Sequence, residues 1–254
     1  MLNGNGVAPL DLQELQEQVA WEQAVKGEIY TQAIKFTDEA YRTMFLEEAK
    51  VYVVEKDSEG NLLPPRELTQ EEKLDLKPAA DGKIHIADNG INNILDGKEP
   101  DTRGGANKYA DQHSSSGDGP QYFIHFPKAE NSVSELLIAG YQKYLESDAL
   151  GLANATDLTR EYMLLYGEDG LHLDGQSRGS LTVGNAMESL ENLPSANGLL
   201  SGTTVSFFGP ACNAAAADAL LSHLQNRDSW TNPQEGVLNV AGNTRSDFRS
   251  LASD

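Results

Sequence analysis

Gly175-Gln176-Ser177-Arg178-Gly179 sets a serine between two glycines in a G-x-S-x-G pattern. The flanking residues give that serine a place to act. Leu171-His172-Leu173-Asp174 before it reads as a strand, and Leu181 to about Leu190 after it as a helix, so Ser177 falls on a strand-to-helix turn. So tight a turn leaves no room for a β-carbon against the neighbouring backbone, which is why Gly175 and Gly179 are needed. Ser177 then stands at a helix N-terminus, where unpaired backbone N–H groups can meet an alkoxide or a tetrahedral oxyanion, with Arg178 N–H the first donor. The chemistry implied is acyl transfer from an ester, thioester or amide onto the serine hydroxyl. The plainer alternative is a glycine-rich turn whose serine merely caps the helix.

A serine nucleophile needs a base and a group to orient it. In an α/β-hydrolase the acid follows the second strand after the elbow, here the loop Gly242 to Asp247, and Asp247 is the best positional match. Asp247 reads equally as the N-cap of a terminal helix, and Asp228 is a weaker alternative for the acid. The base ordinarily comes after the acid, yet no histidine follows His223. His125, ending the strand Tyr122 to Phe126 before Pro127, is the substitute, against a plain structural role. The same strand end offers an oxyanion loop, Phe126 to Lys128. Pro127 has no N–H, so Phe126 or Lys128 must donate. His172 is expected to pack beneath the site, and His85, alternating with Ile84 and Ile86, to lie on the polar face of a strand. His113 falls in a loop and His223 on a helix. The sequence has no H-E-x-x-H pattern, no cysteine pair, no EF-hand spacing and no phosphate-binding glycine loop, so neither metal nor cofactor is expected.

The elements that would position these groups are legible further out. Leu10 to about Ala49 carries apolar residues at helical spacing and reads as two amphipathic helices broken near Gly27. Val51 to Val54 is a strand, and Pro64-Pro65 through Pro78 an exposed connection with a helical turn. Lys83 to Ala87 is a strand closed by the turn Asp88-Asn89-Gly90, and a helix is placed over Gly105 to His113. Strand Tyr122–Phe126, helix Ser132–Glu146, helix Leu158–Tyr166 and strand Leu171–Asp174 follow. After the elbow helix come strand Thr203–Phe208, helix Ala214–Gln225 and strand Val237–Ala241. Near-continuous apolar strands alternating with helices predict a mostly parallel sheet with helices on both faces, α/β-hydrolase-like, at 81–254. Residues 1–80 read as a helical extension with a short strand and a linker.

With 39 acidic against 19 basic side chains the chain carries a net charge of -20, which repels nucleic-acid backbones and anionic membranes. No apolar stretch reaches the length of a membrane span. Cys212 is the single cysteine, so an internal disulfide is excluded and the fold rests on its apolar core. The N-terminal residues lack the basic and apolar regions of a signal peptide, so export would require this chain to be part of something longer.

Four segments together resemble the C-terminal region of filamentous-haemagglutinin-like exoproteins of bacterial two-partner secretion, including contact-dependent growth-inhibition proteins. They are Thr37 to Phe45, Asp81 to Asn93, Ser134 to Tyr141 and, above all, Leu171 to Val183. The resemblance spans most of the chain. It implies a segment of a large secreted, surface-exposed protein, close to the variable end that delivers a toxin, with an outer-membrane transporter and a cognate immunity protein as partners. Two departures stand out: Gln176 occupies a position where relatives often carry histidine, and relatives continue beyond Val237–Ala241 with glycine- and histidine-containing sequence. Two functions follow, a serine hydrolase acting through Ser177 or a non-catalytic pretoxin or interaction module that keeps a degenerate hydrolase fold.

Overall fold

The computed structural model describes residues 12–88, 90, 119–146, 151–226 and 238–241. Seven strands form one sheet: β1 Lys50–Val54, β2 Arg66–Glu67, β3 Ile84–Asp88, β4 Gln121–His125, β5 Leu171–Gln176, β6 Thr204–Phe208 and β7 Leu238–Ala241. Their order is β2-β1-β4-β3-β5-β6-β7. β1 runs antiparallel to both β2 and β4, and the pairs from β4 to β7 are parallel. The expected α/β class with a mostly parallel sheet is therefore present. Residues 50–67 add two strands to it, so the sheet extends across the expected boundary at residue 80.

The period of two along each strand sorts the side chains onto two different faces. Val51 and Val53, Ile84 and Ile86, Tyr122 and Ile124, Leu171 and Leu173, and Val205 and Phe207 share the main core. Helices α3 Ser132–Tyr144, α4 Asn154–Tyr166, α5 Arg178–Glu191 and α6 Ala214–Leu224 bury Ile138, Tyr162 and Met163, Val183 and Met187, and Leu221 in the same core. Among the described residues, the helices that share this core cover one face. The other face carries the small cluster Val54, Ala87 and Phe123, and a row of polar residues.

The helices start where the sequence provides caps. Asn131 accepts from the Val133 and Ser134 N–H groups at α3, and Asn213 from Ala215 and Ala216 at α6. Thr69 and Glu72 form a capping box on the short helix α2, Gln70–Lys73. The two helices expected before residue 49 are one, α1 Leu12–Tyr41, which continues through Gly27 and ends in a π-turn at Arg42–Leu46. An interior glycine costs about 1 kcal/mol, and the Glu, Gln, Ala and Lys around Gly27 favour a helix enough to absorb that. Ser134 Oγ, at the start of α3, lies 3.0 Å from Glu39 Oε2 and 3.2 Å from Phe36 O, with one hydrogen to share between them, and Glu39 Oε1 accepts from Asn131 N–H, which ties α1 to the body of the protein.

Successive connections set the place of the site. From β3 the chain steps to β4 in one direction, whereas from β5 it steps through β6 to β7 in the other. Ligands commonly bind outside the carboxyl ends of neighbouring parallel strands whose connections diverge, and in this sheet the divergence falls between β3 and β5.

Candidate active site at the β5–α5 elbow

Ser177 lies at that divergence, between the end of β5 and the first residue of α5. Its backbone has φ 51° and ψ -114°, a combination that side-chain-bearing residues avoid and that costs about 1–3 kcal/mol. Surrounding hydrogen bonds hold the strain. Ser177 N–H donates to Phe208 O at 3.0 Å, and Ser177 O accepts from Ser180 N–H at 3.0 Å and Ser180 Oγ at 2.7 Å. Ser180, fully buried, also accepts from Ala211 N–H at 2.9 Å, which ties the bend to the loop after β6.

The glycines are needed for space as well as for conformation. A β-carbon on Gly175 would lie 2.7 Å from Ser180 Cα, and one on Gly179 would lie 2.2 Å from Asp88 O. The first turn of α5 thus packs backbone against backbone on the end of β3. The Ser177 side chain makes no capping hydrogen bond to α5, so the plain capping role is not realised. Ser177 is half-buried, and the first-turn N–H groups of Arg178 and Gly179 that follow it have no carbonyl to bond within the helix.

Gly90, two residues past the end of β3, abuts the elbow. A β-carbon on Gly90 would stand 3.2 Å from Gln176 O and 3.3 Å from Ser177 Cβ. The segment Phe126 to Lys128 follows β4, and β3 lies between β4 and β5. Phe126 is buried and Lys128 exposed. Arg178 nonetheless reaches that segment: its guanidinium lies 4.0 Å from the centroid of the Phe126 ring and Nη1 is 2.8 Å from Glu135 Oε2. Glu135 Oε1 accepts from Ala129 N–H at 2.7 Å. Both Arg178 and Glu135 are 2% exposed, and burial lowers the Arg178 pKa against the opposing pull of Glu135.

His125 is not brought to Ser177. Its row in the sheet is two strands from β5, roughly 10 Å across at the usual strand spacing. Its ring meets Tyr52 edge-on at 6.2 Å and Phe123 at 6.4 Å, on the face opposite α5. Among the described residues no imidazole is hydrogen-bonded to the Ser177 hydroxyl. Asp247, Asp228 and His113 lie outside the described residues, as does the helix expected over Gly105–His113. His223 is exposed in the last turn of α6.

His172 and His85 instead form a second polar group on the face of the sheet opposite α5. Their rings are 5.0 Å apart. His172 Nδ1 is 2.6 Å from Thr204 Oγ1 and Nε2 3.1 Å from Asp174 Oδ2, while His85 Nε2 is 2.9 Å from Asp81 Oδ2. His85 is thus on the polar face as its alternation predicts, but it is buried at 3% exposure. Burial pushes its pKa down, opposed by Asp81 and reinforced by His172. Among the described residues no cluster of three or more His, Cys, Asp or Glu can hold a metal ion.

Sequence reasoning missed Gly90, Glu135 and Asp88. Asp88, wholly buried at the end of β3, contacts Thr159 Oγ1 at 3.1 Å through Oδ1, and burial raises its pKa well above the usual carboxylate value. The composition of Asp88-Asn89-Gly90 marks a turn, but pairing Gly90 with the elbow needs the strand order, which periodicity does not carry. No protein-family model, curated protein or solved structure matches this chain.

Proposed function

We propose that the chain is a serine-hydrolase-like domain of the α/β-hydrolase type, preceded by a helical extension and carried within a secreted bacterial exoprotein or toxin. The observation that carries this reading is the Ser177 backbone, held at φ 51° between two glycines that admit no β-carbon. Strain of this kind persists where surrounding structure enforces it, and it aims the hydroxyl out of the bend. Ser177 Oγ attacks the acyl carbon, the bond to the leaving group breaks, and the hydroxyl proton passes through a base to that leaving group. Water then hydrolyses the acyl-serine. Arg178 N–H is the first oxyanion donor. Gly90 N–H takes the second position, in place of Phe126 or Lys128, because Gly90 is the residue pressed against Ser177 Cβ.

His125, held against Tyr52 and Phe123, favours the second reading: a non-catalytic pretoxin or interaction module that retains the architecture. On either reading the resemblance makes an immunity protein and an outer-membrane transporter the partners to look for. A fluorophosphonate probe discriminates between the two. Labelling of the folded protein at Ser177, abolished in Ser177→Ala, supports an activated nucleophile. Absence of labelling in folded wild-type protein supports the module.

A further inference from the structure

We infer that the buried Arg178–Glu135 pair is a positioning device for the oxyanion donor, an inference that rests on the nucleophile reading of Ser177. Arg178 contributes two things in two directions: its backbone N–H is the first of α5, directly after Ser177, while its side chain runs inward and is enclosed. Stability alone gives little reason for such a pair. Enclosing two charges costs several kcal/mol per ion before their attraction is counted, and well-packed apolar residues of similar volume often do as well or better.

What the pair supplies is direction. A guanidinium lying 4.0 Å over the Phe126 ring and bonded to one carboxylate oxygen is held at two points, which a point charge or an apolar chain would not be. The second carboxylate oxygen holds Ala129 N–H, so the segment Phe126 to Ala129 is pinned to the same group. Residue 178 is therefore located from three sides: by the bend at Ser177, by the end of β3 under Gly179, and by the Glu135–Phe126 bracket. A donor aimed at a developing oxyanion tolerates little error, and a misplacement of about 1 Å costs on the order of 100-fold. The segment the sequence nominated as the oxyanion loop thus acts through Arg178.

The test compares the kinetics of fluorophosphonate inactivation, split into kinact and KI, for wild type and for the apolar double variant Arg178→Met/Glu135→Leu, with melting and circular dichroism to establish folding. The expected result is a folded double variant of wild-type or higher melting temperature whose kinact falls about ten-fold or more while KI stays within about two-fold. A purely structural pair would leave kinact of the folded double variant unchanged, and that result overturns the inference. Arg178→Lys, which keeps the charge without the guanidinium over Phe126, gives a second readout should the double variant not fold: an intermediate kinact supports positioning, and a wild-type kinact overturns it. Wild-type protein that is not labelled at all overturns the nucleophile reading first, before any variant is compared.

Discussion

Two residues at the elbow are held in states that cost the fold energy. Ser177 has a backbone conformation that glycine adopts without penalty. Ser177→Gly should therefore raise stability by about 1 kcal/mol while ending any labelling, measured as a higher denaturation midpoint in the unreactive protein. Asp88 has a different penalty. Thr159 Oγ1 lies 2.9 Å from Ala155 O as well as 3.1 Å from Asp88 Oδ1. The threonine has one hydroxyl hydrogen for these two acceptors, so it cannot donate fully to both, and Asp88 Oδ2 is buried without a hydrogen-bond partner. So poorly compensated a carboxyl resists losing its proton. Burial raises its pKa, so the native state binds this proton more tightly than the unfolded chain. The linked stability is fully present below the unfolded pKa and is lost as pH rises through the folded one. Asp88→Asn keeps an acceptor for the Thr159 hydroxyl and is uncharged at every pH. It should stabilise the protein at pH 7 by about 1 kcal/mol or more, a gain that shrinks toward zero near pH 4, followed by denaturant midpoints across that range.

At the scale of elements, the join of β3, β5 and α5 is closed to substitution, while α3 has room. Gly179→Ala would put a methyl 2.2 Å from Asp88 O, and since that atom is backbone at the end of a central strand, α5 must move away. A loss of about 2 kcal/mol or more is expected, together with loss of the probe-reactive serine. Gly140, inside α3, has nothing within 4 Å of its would-be β-carbon. Gly140→Ala should gain about 0.5–1 kcal/mol through helix propensity alone, and paired thermal melts separate the two outcomes. The same elements show what sequence periodicity could reach. The strands at Tyr122, Leu171 and Thr203 and the helices at Ser132 and Ala214 were legible because each carries its own apolar period. β2 was not, because it is two residues long and exists only through pairing with β1. The helix from Leu181 was legible but not its start at Arg178, which the elbow sets without a side-chain cap, and helix was legible before residue 49 but not its continuity through Gly27. Ser177 and its two glycines could be read because a bend has a local composition. Gly90, Glu135 and the distance of His125 from β5 follow from the strand order, set by long-range pairings that no window of sequence contains.

Over the whole molecule the dominant physical feature is charge. A net charge of -20 is compressed on folding into a far smaller volume than the unfolded chain occupies, so self-repulsion weighs against the native state. Salt bridges could reverse the sign of the salt response, since screening weakens them too. The described pairs argue against that. Arg42–Asp38, Lys50–Glu67 and Arg66–Glu72 have side chains between 41% and 64% exposed, and exposed pairs contribute about 0–1 kcal/mol. Arg178–Glu135 is enclosed, where added salt screens it little. Repulsion among 39 carboxylates is therefore the larger salt-sensitive quantity. Raising ionic strength from about 0.01 M to about 0.15 M shortens the Debye length from about 30 Å, larger than the domain's radius, to about 8 Å. The melting temperature should rise over that range. A change of about 1 kcal/mol corresponds to about 2–4 °C for a chain of this size. Calorimetry or circular dichroism in sodium chloride at fixed pH reads the shift, and a melting temperature that falls with salt would mean that attraction between opposite charges, not repulsion among the carboxylates, dominates the electrostatics of the fold.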